Sequence, residues 1–256
     1  MAKDQYLAGK LAIVTGAGKP NGIGAAAAYA LAEHGANIVI HYGKSSAAAA
    51  ETVKKIETLG VKAVAISVDQ ESETFGQDLI QASLKAFNTE TIDIIINNAA
   101  VGTFYPDIES IPIKDFDWMF RTNVRGPLLL VQAAIPYLAS RGGRIVNIGT
   151  ILARSGSLPG SVYSATKAAL GTIALGWGEQ LGPKGITVNT VVPGPIETDN
   201  IFPEDHPMTQ KFRSEQHIKR NGTPMEVAET ILFLASPMTA YVTGQQVYVD
   251  GGLIYP

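Results

Sequence analysis

The sequence predicts an α/β fold in which one doubly wound, seven-stranded parallel sheet carries helices on both faces. Two observations support this prediction. Short runs that are apolar at almost every position alternate with helical segments rich in alanine and leucine along the chain. Such runs are typical of parallel strands that are covered on both sides. No linker, repeat or low-complexity tract interrupts the alternation, so the 256 residues are expected to form a single domain.

The individual elements follow from these runs and from the glycines and prolines that bound them. Strands are expected at residues 10–15, 37–41, 63–68, 92–97, 144–148, 187–192 and 246–249. Helices are expected at about 23–34, 46–59, 73–87, 114–139 and 226–235, and in the run that contains Tyr163 and ends at Gly182-Pro183. In such a sheet, ligands bind at the carboxyl ends of the strands. The functional edge is therefore expected after Thr15, His41, Asn97, Ile148 and Val192.

Composition narrows the range of functions. The formal net charge is −3 and lysine and arginine form no cluster, so no nucleic-acid or anionic-membrane partner is expected. The chain has no cysteine, and its four histidines are scattered, so neither a metal site nor a hydrolase is indicated. Residues 1–10 are too polar for a signal peptide, and no apolar run approaches the roughly 18 residues of a membrane span. These features favour a cytoplasmic protein that acts on small molecules.

A glycine-rich turn joins the first strand to the first helix, with the sequence Thr15-Gly16-Ala17-Gly18-Lys19-Pro20-Asn21-Gly22-Ile23-Gly24. Glycine lets the backbone turn sharply and approach a pyrophosphate, whose charge then faces the free N–H groups at the start of the helix. A glycine-rich loop alone is weak evidence, but between a first strand and an alanine-rich helix it predicts a Rossmann-like dinucleotide site. The residues assigned to that site are Gly16, Gly18, Lys19, Asn21, Gly22, Ile23 and Gly24.

The end of the second strand indicates which dinucleotide binds. Sites for NAD(H) usually place a carboxylate there, on the ribose 2′-hydroxyl, and a carboxylate would repel a 2′-phosphate. Here the stretch is His41-Tyr42-Gly43-Lys44-Ser45-Ser46, with one cation, several hydroxyls and no acid. Tyr42, Lys44 and Ser45, together with Lys19, therefore favour NADP(H) over NAD(H). The alternative is that Lys44 is an ordinary solvated loop lysine.

Tyr163 and Lys167 lie four residues apart in the predicted helix SVYSATKAALGTIALGWGEQLG. Positions four apart share a helix face, so the phenol and the ammonium are expected to be neighbours. A nearby positive charge favours the phenolate and would lower the pKa of the tyrosine from its usual value of about 10, which suits an acid/base catalyst. By itself the spacing also fits an ordinary pair on an amphipathic helix, so its weight depends on the surrounding motifs.

Further motifs occur in order along the chain. Asn97-Asn98-Ala99-Ala100 follows the fourth strand, Asn123 lies in the long fourth crossover helix, and Pro193-Gly194-Pro195-Ile196-Glu197-Thr198 follows the sixth strand. Asp69 follows the third strand, and Asp250-Gly251-Gly252 lies near the C-terminus. Together with the Tyr-x-x-x-Lys pattern of Tyr163 and Lys167, these motifs resemble those of the short-chain dehydrogenase/reductase family from end to end.

The resemblance implies a role for each matching residue. Tyr163 would donate a proton in carbonyl reduction, and Lys167 would lower its pKa and hold the nicotinamide ribose. Thr150 would hydrogen-bond the carbonyl oxygen, and Asn123 would organise a water that passes protons to Lys167. Coenzyme contacts are implied for Asp69 at the adenine and for Asn98, Ala99, Ala100, Tyr163, Lys167, Pro193, Gly194, Ile196 and Thr198. A homotetramer is implied, through apolar faces of 116–138 and 168–181 and the ending 253–256, with a homodimer as the alternative.

Two departures from the family pattern bear on the reaction. Five residues lie between Gly16 and Gly22, where the family has three. A longer loop resembles that of the divergent enoyl-thioester reductases. Those enzymes, however, have six residues between tyrosine and lysine, and the residue at that spacing here is Leu170. The implied reaction is therefore at C=O rather than C=C. The second departure is Thr150 in place of serine, which keeps the hydroxyl; Ser155 and Ser157 are alternative hydroxyls.

The substrate pocket is expected between three segments. Residues 199–221 interrupt the alternation and are expected to form a mobile lid, while 101–105 and 152–162 would form mostly apolar and aromatic walls. The sequence therefore predicts an NADP(H)-dependent oxidoreductase that interconverts an apolar ketone or aldehyde and an alcohol. The competing hypothesis, suggested by Thr150 and the longer turn, is an NADP(H)-sensing protein that has kept the fold and lost turnover.

Overall fold

Seven strands pair in parallel into one sheet in the computed structural model, which describes residues 4–156, 158–199 and 201–253. The strands are β1 (Leu11–Val14), β2 (Asn37–Tyr42), β3 (Ala63–Ser67), β4 (Ile94–Asn97), β5 (Arg144–Ile148), β6 (Thr187–Pro193) and β7 (Gln246–Val249). Their order across the sheet is β3-β2-β1-β4-β5-β6-β7, so the winding direction reverses between β1 and β4. The predicted doubly wound sheet is confirmed.

Helices cover both faces of this sheet. They are α1 (Ile23–Glu33), α2 (Ser46–Glu57), α3 (Phe75–Phe87), α4 (Ile113–Phe120), α5 (Gly126–Ala134), α6 (Leu152–Ser155), α7 (Ser161–Leu181), α8 (Pro207–Glu215) and α9 (Pro224–Ala235). Helices α1, α2 and α9 share one apolar core layer, and α3, α5 and α7 share the other. Within the described ranges, no helix combines the length and apolarity that crossing a bilayer would require.

The central strand β1 contributes to both core layers. Ala12 and Val14 pack in the layer of α1 and α9, whereas Leu11 and Ile13 pack in the layer of α3, α5 and α7. All four side chains are at most 4% exposed. Truncating a buried leucine or isoleucine such as Leu11 or Ile13 to alanine typically costs about 2–5 kcal/mol, because a cavity remains. The turn that follows β1 therefore starts from a firmly fixed position.

The segment predicted as one helix at 114–139 is divided. Helix α4 ends at Phe120, a five-residue π turn (Arg121–Arg125) follows, and α5 ends at Ala134. In the π turn the N–H of Gly126 donates to the carbonyl of Arg121, five residues back. Pro127 has no N–H with which to continue an α-helical ladder. The prediction was wrong in its extent because apolar periodicity does not reveal a one-residue change of helical register.

Smaller differences in the boundaries have local causes. Helix α9 begins two residues earlier than predicted, because Thr223 and Glu226 form a capping box at its start. Strand β4 begins at Ile94, since Ile92 forms only an isolated bridge to Leu138. The predicted lid contains a helix, α8, that the sequence analysis did not identify. Ser157, one of the alternative hydroxyls, lies outside the described residues. Residues 254–256 of the predicted interface also lie outside them.

Candidate active site

Tyr163 and Lys167 lie one turn apart near the start of α7, beside the carboxyl end of β5. The ammonium nitrogen of Lys167 lies 6.0 Å from the centroid of the Tyr163 ring. The same nitrogen donates a 2.7 Å hydrogen bond to the carbonyl oxygen of Ile148, the last residue of β5. Lys167 is only 3% exposed, so this contact satisfies a buried polar group. The two side chains predicted to be neighbours are therefore brought together, with the lysine anchored to the sheet.

Burial shifts both groups toward their neutral forms. It raises the pKa of Tyr163 to about 12 and lowers the pKa of Lys167 to about 8. The prediction that Lys167 lowers the pKa of Tyr163 is therefore wrong for this structure, because loss of hydration outweighs the attraction of the ammonium. At neutral pH Tyr163 is a phenol that can give up a proton. Two neighbouring side chains whose pKa values are both shifted are typical of functional sites.

Thr150 follows β5 and is half-buried. Its Oγ1 accepts a long, 3.4 Å hydrogen bond from the N–H of Leu152, which leaves the hydroxyl proton available to another acceptor. The alternative hydroxyl, Ser155, donates to the carbonyl oxygen of Leu152 at 3.3 Å. Thr150 is therefore the better placed of these two hydroxyls to bind a ligand.

Asn123 lies fully buried in the π turn, and its side chain is committed to the protein. Its Oδ1 accepts from the N–H of Val101 at 2.8 Å, and its Nδ2 donates to the carbonyl of Val101 at 2.7 Å. The same Nδ2 donates to Oγ1 of Thr166 at 3.0 Å, and Thr166 donates to the carbonyl of Tyr163 at 2.7 Å. Asn123 therefore ties the loop after β4 to the turn of α7 that carries the tyrosine.

A chain of aromatic rings begins beside Tyr163. A Cβ added at Gly102 would lie 2.9 Å from Cδ2 of Tyr163, so only glycine lets the loop approach the ring. The ring of Phe104 lies 6.1 Å from Tyr163 and 5.3 Å from Phe202, and Phe202 stacks on His206 at 4.3 Å. The residues of the predicted wall and of the predicted lid thus meet beside the tyrosine.

The lid is attached to the rest of the protein at its C-terminal end. Nε2 of Gln216 donates to the carbonyl of Asp250 at 2.9 Å, and the N–H of Ile218 donates to the carbonyl of Gly251 at 2.8 Å. Phe212 of α8 is 7% exposed and packs with Ile151 and Leu152. These contacts seat α8 over the end of β5.

The glycine-rich turn is packed closely against the end of β4. A Cβ added at Gly16, which has a φ of +65°, would lie 2.7 Å from Cα of Ala99, and one at Gly24 would lie 2.5 Å from Nδ2 of Asn98. Asn98 Nδ2 donates to the carbonyl of Thr15 at 2.8 Å. Ala100 follows as an exposed residue of this loop. The glycines are therefore required by backbone packing.

The extra residues of the turn fold back on themselves. The N–H of Gly22 donates to the carbonyl of Lys19 at 3.0 Å, which closes a tight turn with Pro20 and Asn21 at its centre. Gly22 is the N-cap of α1, and no side chain caps the helix there. The first N–H groups of α1, from Ile23 onward, are therefore not capped by a side chain and suit the pyrophosphate of a dinucleotide.

The region assigned to the 2′-phosphate holds two cations on the surface. Lys19 and Lys44 are exposed, and neither forms an ion pair within the described ranges. Tyr42 packs under Gly18, where an added Cβ would lie 2.7 Å from the Tyr42 Cβ. Ser45 caps α2 by accepting from the N–H of Ala48 at 3.4 Å. The two lysines thus remain available to an anion, whereas Tyr42 and Ser45 also have structural contacts.

Asp69 and the segment after β6 lie where the sequence analysis expected them, at the carboxyl ends of β3 and β6. Asp69 is exposed, and its Oδ1 accepts from the N–H of Glu71 at 3.0 Å. The carbonyl of Pro193 accepts from the N–H of Ile151 at 2.9 Å, which joins the ends of β6 and β5. A Cβ added at Gly194 would lie 2.8 Å from Cα of Asp250. Ile196 is 7% exposed and Thr198 follows it.

His41 and Thr15 support the coenzyme edge, and the sequence analysis did not assign either to the site. Nδ1 of His41 accepts from the N–H of Gly16 at 3.4 Å, and its Nε2 donates to the carbonyl of Val68 at 2.9 Å. Burial lowers the pKa of His41, so the ring is neutral. Thr15 Oγ1 accepts from the N–H groups of Asn98 and Ala99, each at 3.0 Å. The sequence feature that could have identified both residues is a polar side chain at the end of an otherwise apolar strand.

A cavity of about 520 Å³ lies beside the glycine-rich turn at Pro20 and Asn21. Asn21 and Thr198 line it, together with residues of α1, α2 and α9, and none of the four predicted catalytic residues does. Across the described part of the chain, no group of three histidine, aspartate or glutamate side chains could hold a metal ion.

Comparisons with known proteins agree over nearly the whole chain. The family described as Enoyl-(Acyl carrier protein) reductase matches residues 16–254. The oxidoreductase YhxC of Bacillus subtilis (strain 168) is 38% identical over 254 residues, which cover 98% of this chain and 87% of YhxC. Versicolorin reductase 1 of Aspergillus parasiticus is 35% identical over 265 residues, covering 98% of this chain and 99% of its own. A short chain dehydrogenase from Burkholderia cenocepacia J2315, crystallised in complex with NADP, matches with a TM-score of 0.90 and 36% identity over 97% of this chain and 99% of its own.

Proposed function

Because the chain belongs to the short-chain dehydrogenase/reductase family, we propose that it is an NADP(H)-dependent oxidoreductase that interconverts a ketone or aldehyde and an alcohol. One observation carries this proposal. The ammonium of Lys167 lies beside the Tyr163 ring and is bonded to Ile148 at the end of β5, two residues before the Thr150 hydroxyl. That edge also holds the glycine-rich turn, so a hydride donor and a proton donor would meet there.

Each side chain has a defined task in the reduction. Bound NADPH would supply the hydride that forms the new C–H bond at the carbonyl carbon. As the C=O π electrons move to oxygen, the O–H bond of Tyr163 breaks and its proton goes to that oxygen, which makes the alcohol. Thr150 donates a hydrogen bond to the same oxygen and stabilises its developing charge. Lys167, with a pKa of about 8, returns a proton to the tyrosine.

The phosphate-binding end supports NADP(H) as the coenzyme. Lys19 and Lys44 are exposed cations without an ion pair in the described ranges, and residues 42–46 contain no carboxylate that would repel a 2′-phosphate. The Burkholderia cenocepacia relative binds NADP, which is consistent with this assignment. Gly16, Gly18 and the uncapped start of α1 would receive the pyrophosphate.

The Tyr163–Lys167 spacing favours reaction at C=O over the C=C reaction that the matching family description names. Lys167 is the lysine that lies one helical turn from the tyrosine. Leu170, at the wider spacing, is 2% exposed and packs in the apolar core of the α3, α5 and α7 layer. No ammonium can therefore stand at that position.

The aromatic wall of Phe104, Phe202 and His206 supports an apolar substrate with residues 199–221 acting as its lid. We also propose a homotetramer. Ile113, Phe116 and Leu175 are 73%, 40% and 49% exposed, and they mark an apolar surface near α4 and α7, where the family resemblance implies subunit contacts. Light scattering coupled to gel filtration tests the assembly, and a monomer at micromolar concentration would contradict it.

The proposed reaction is tested by a panel of ketones, aldehydes and secondary alcohols, followed by the absorbance of the reduced coenzyme. We expect reduction of at least one apolar or aromatic ketone, with NADPH preferred to NADH. Tight NADPH binding without turnover of any member of the panel would instead support the sensing protein.

A further inference from the structure

The carbonyl of Thr122 in the π turn has no donor at the two positions that would normally serve it. In an α-helical register that donor is the N–H of Gly126, which bonds Arg121 instead. In a π register the donor would be residue 127, which is proline and has no N–H. Thr122 is 6% exposed, so its carbonyl requires a partner from elsewhere in the protein.

Gln70 supplies that partner from the turn after β3. Its Nε2 donates to the carbonyl of Thr122 at 2.8 Å and lies 3.4 Å from the carbonyl of Ala99. Gln70 is 8% exposed. Its amide must point its NH₂ at these two oxygens, since the reverse orientation would set oxygen against oxygen. A single side chain thus joins the π turn to the loop after β4.

Two further features are built around this contact. A Cβ added at Gly126 would lie 2.6 Å from Cγ of Gln70, so only glycine lets the side chain pass. The neighbouring residues also dock: a guanidinium N–H of Arg125 donates to the carbonyl of Glu71, and Arg121 lies 3.5 Å from the Glu71 carboxylate. The turn at 69–73 therefore contacts the π turn through several residues, and the side chain of Gln70 is buried among these contacts.

Fixing Thr122 also fixes the residue that follows it. Asn123 bonds Val101 and Thr166, and Thr166 bonds the carbonyl of Tyr163. We propose that Gln70 is a positioning residue for the reaction, which holds the π turn so that Asn123 aligns the tyrosine-bearing turn of α7. The proposal rests on the proposed function, because it assigns Gln70 a role in that chemistry. The proposal adds to that function a residue that touches neither the substrate nor the reacting atoms.

The main test is Gln70→Leu, which keeps the bulk and removes the donor. We expect kcat to fall roughly 10- to 100-fold with little change in the KM for NADPH, since small displacements of a catalytic group have effects of this size. The pH at which kcat falls by half should also move, because proton delivery is disturbed. The matched control is Gln81→Leu on α3, whose Nε2 donates to the hydroxyl of Tyr137 in an exposed contact of 3.2 Å. A Gln70→Leu enzyme with the kcat and pH profile of Gln81→Leu would overturn the proposal.

Amide hydrogen exchange provides a measurement that does not need turnover. Peptides covering 118–128 should exchange faster in Gln70→Leu than in the wild type, and unchanged exchange would refute the contact. If the wild type reduces no carbonyl compound, the proposed function fails, while exchange still reports separately whether Gln70 holds the π turn.

A second variant keeps the proposal testable if Gln70→Leu does not fold. In Gln70→Glu only the protonated carboxyl can donate to Thr122. Exchange protection of 118–128 and kcat should therefore both recover as the pH falls. Protection that is independent of pH would count against the role of Gln70.

Discussion

Nζ of Lys167 and the carbonyl oxygen of Ile148 are joined by a 2.7 Å hydrogen bond in a buried setting. The bond ties helix α7 to the last residue of β5, with the ammonium 6.0 Å from the centroid of the Tyr163 ring. Because water is largely excluded, the ammonium is disfavoured and its pKa falls to about 8. The lysine is thus held in one place and can lose its proton near physiological pH.

The pKa of Lys167 predicts the pH dependence of the reaction. In the proposed mechanism reduction takes a proton through Lys167, so kcat for ketone reduction should be level below a pH of about 8 and fall above it, while alcohol oxidation rises over the same range. Lys167→Met should lower kcat roughly 100-fold or more and remove this transition. Steady-state pH profiles measure it, with the exposed Lys184→Met as control. A transition near the same pH in Lys167→Met would contradict the assignment.

Two substitutions at Thr150 separate the effect of its hydroxyl from the effect of its side-chain shape. Thr150→Val keeps the branched side chain and loses the hydrogen-bond donor, so kcat should fall on the order of 100- to 1,000-fold, as for the loss of one oxyanion donor. Thr150→Ser keeps the donor and should retain most of the activity, with a wider range of ketones. Equal activity of Thr150→Val and wild type would show that Thr150 does not contact the reacting oxygen.

Coenzyme selectivity should depend on Lys44. A charge-assisted hydrogen bond to a phosphate is worth about 1.5–3 kcal/mol, so Lys44→Ala should weaken NADPH binding by roughly 10- to 100-fold. NADH binding should be nearly unchanged, because NADH has no 2′-phosphate. Fluorescence titration measures both affinities, with the exposed α2 residue Lys54→Ala as control. A similar loss for NADH and NADPH would place Lys44 elsewhere in the site.

His41 makes stability depend on pH. Burial lowers its pKa below the ordinary 6.5, so the unfolded chain binds a proton more readily than the folded protein does. The stability that the neutral ring contributes is therefore fully present above the unfolded pKa and is lost as the pH falls through the lower, folded value. The free energy of unfolding by urea should therefore decrease as the pH falls below the ordinary histidine pKa of 6.5. His41→Gln should reduce this slope, whereas the exposed His217→Gln should leave it unchanged; equal slopes would contradict the role of His41.

The sequence was sufficient for those features that depend on local spacing. Tyr163 and Lys167 share a helix face because the helical period is fixed. The glycine-rich turn could be placed because it directly follows an apolar run, which is typical of a strand buried on both faces. The need for glycine in this turn was therefore anticipated, whereas the close approach of Gly16 to Ala99 was not.

Features that depend on long-range packing were not predictable in this way. The partner of Lys167 is a backbone carbonyl, which every residue has, so no sequence signal marks Ile148. The direction of the Tyr163 pKa shift was wrong because the sequence shows the neighbouring charge but not the loss of hydration. The π turn was missed because Pro127 gives the same apolar pattern whether the helix continues or changes register.

Tyr163→Phe tests the central claim most directly, because it removes the phenol oxygen and little else. NADPH affinity by fluorescence titration and single-turnover reduction of the best ketone should be measured on the same preparation, with Tyr137→Phe as control. We expect unchanged NADPH affinity and a rate at least about 100-fold below wild type, the lower end expected for a lost general acid. A Tyr163→Phe enzyme that reduces the ketone at the wild-type rate would contradict the account.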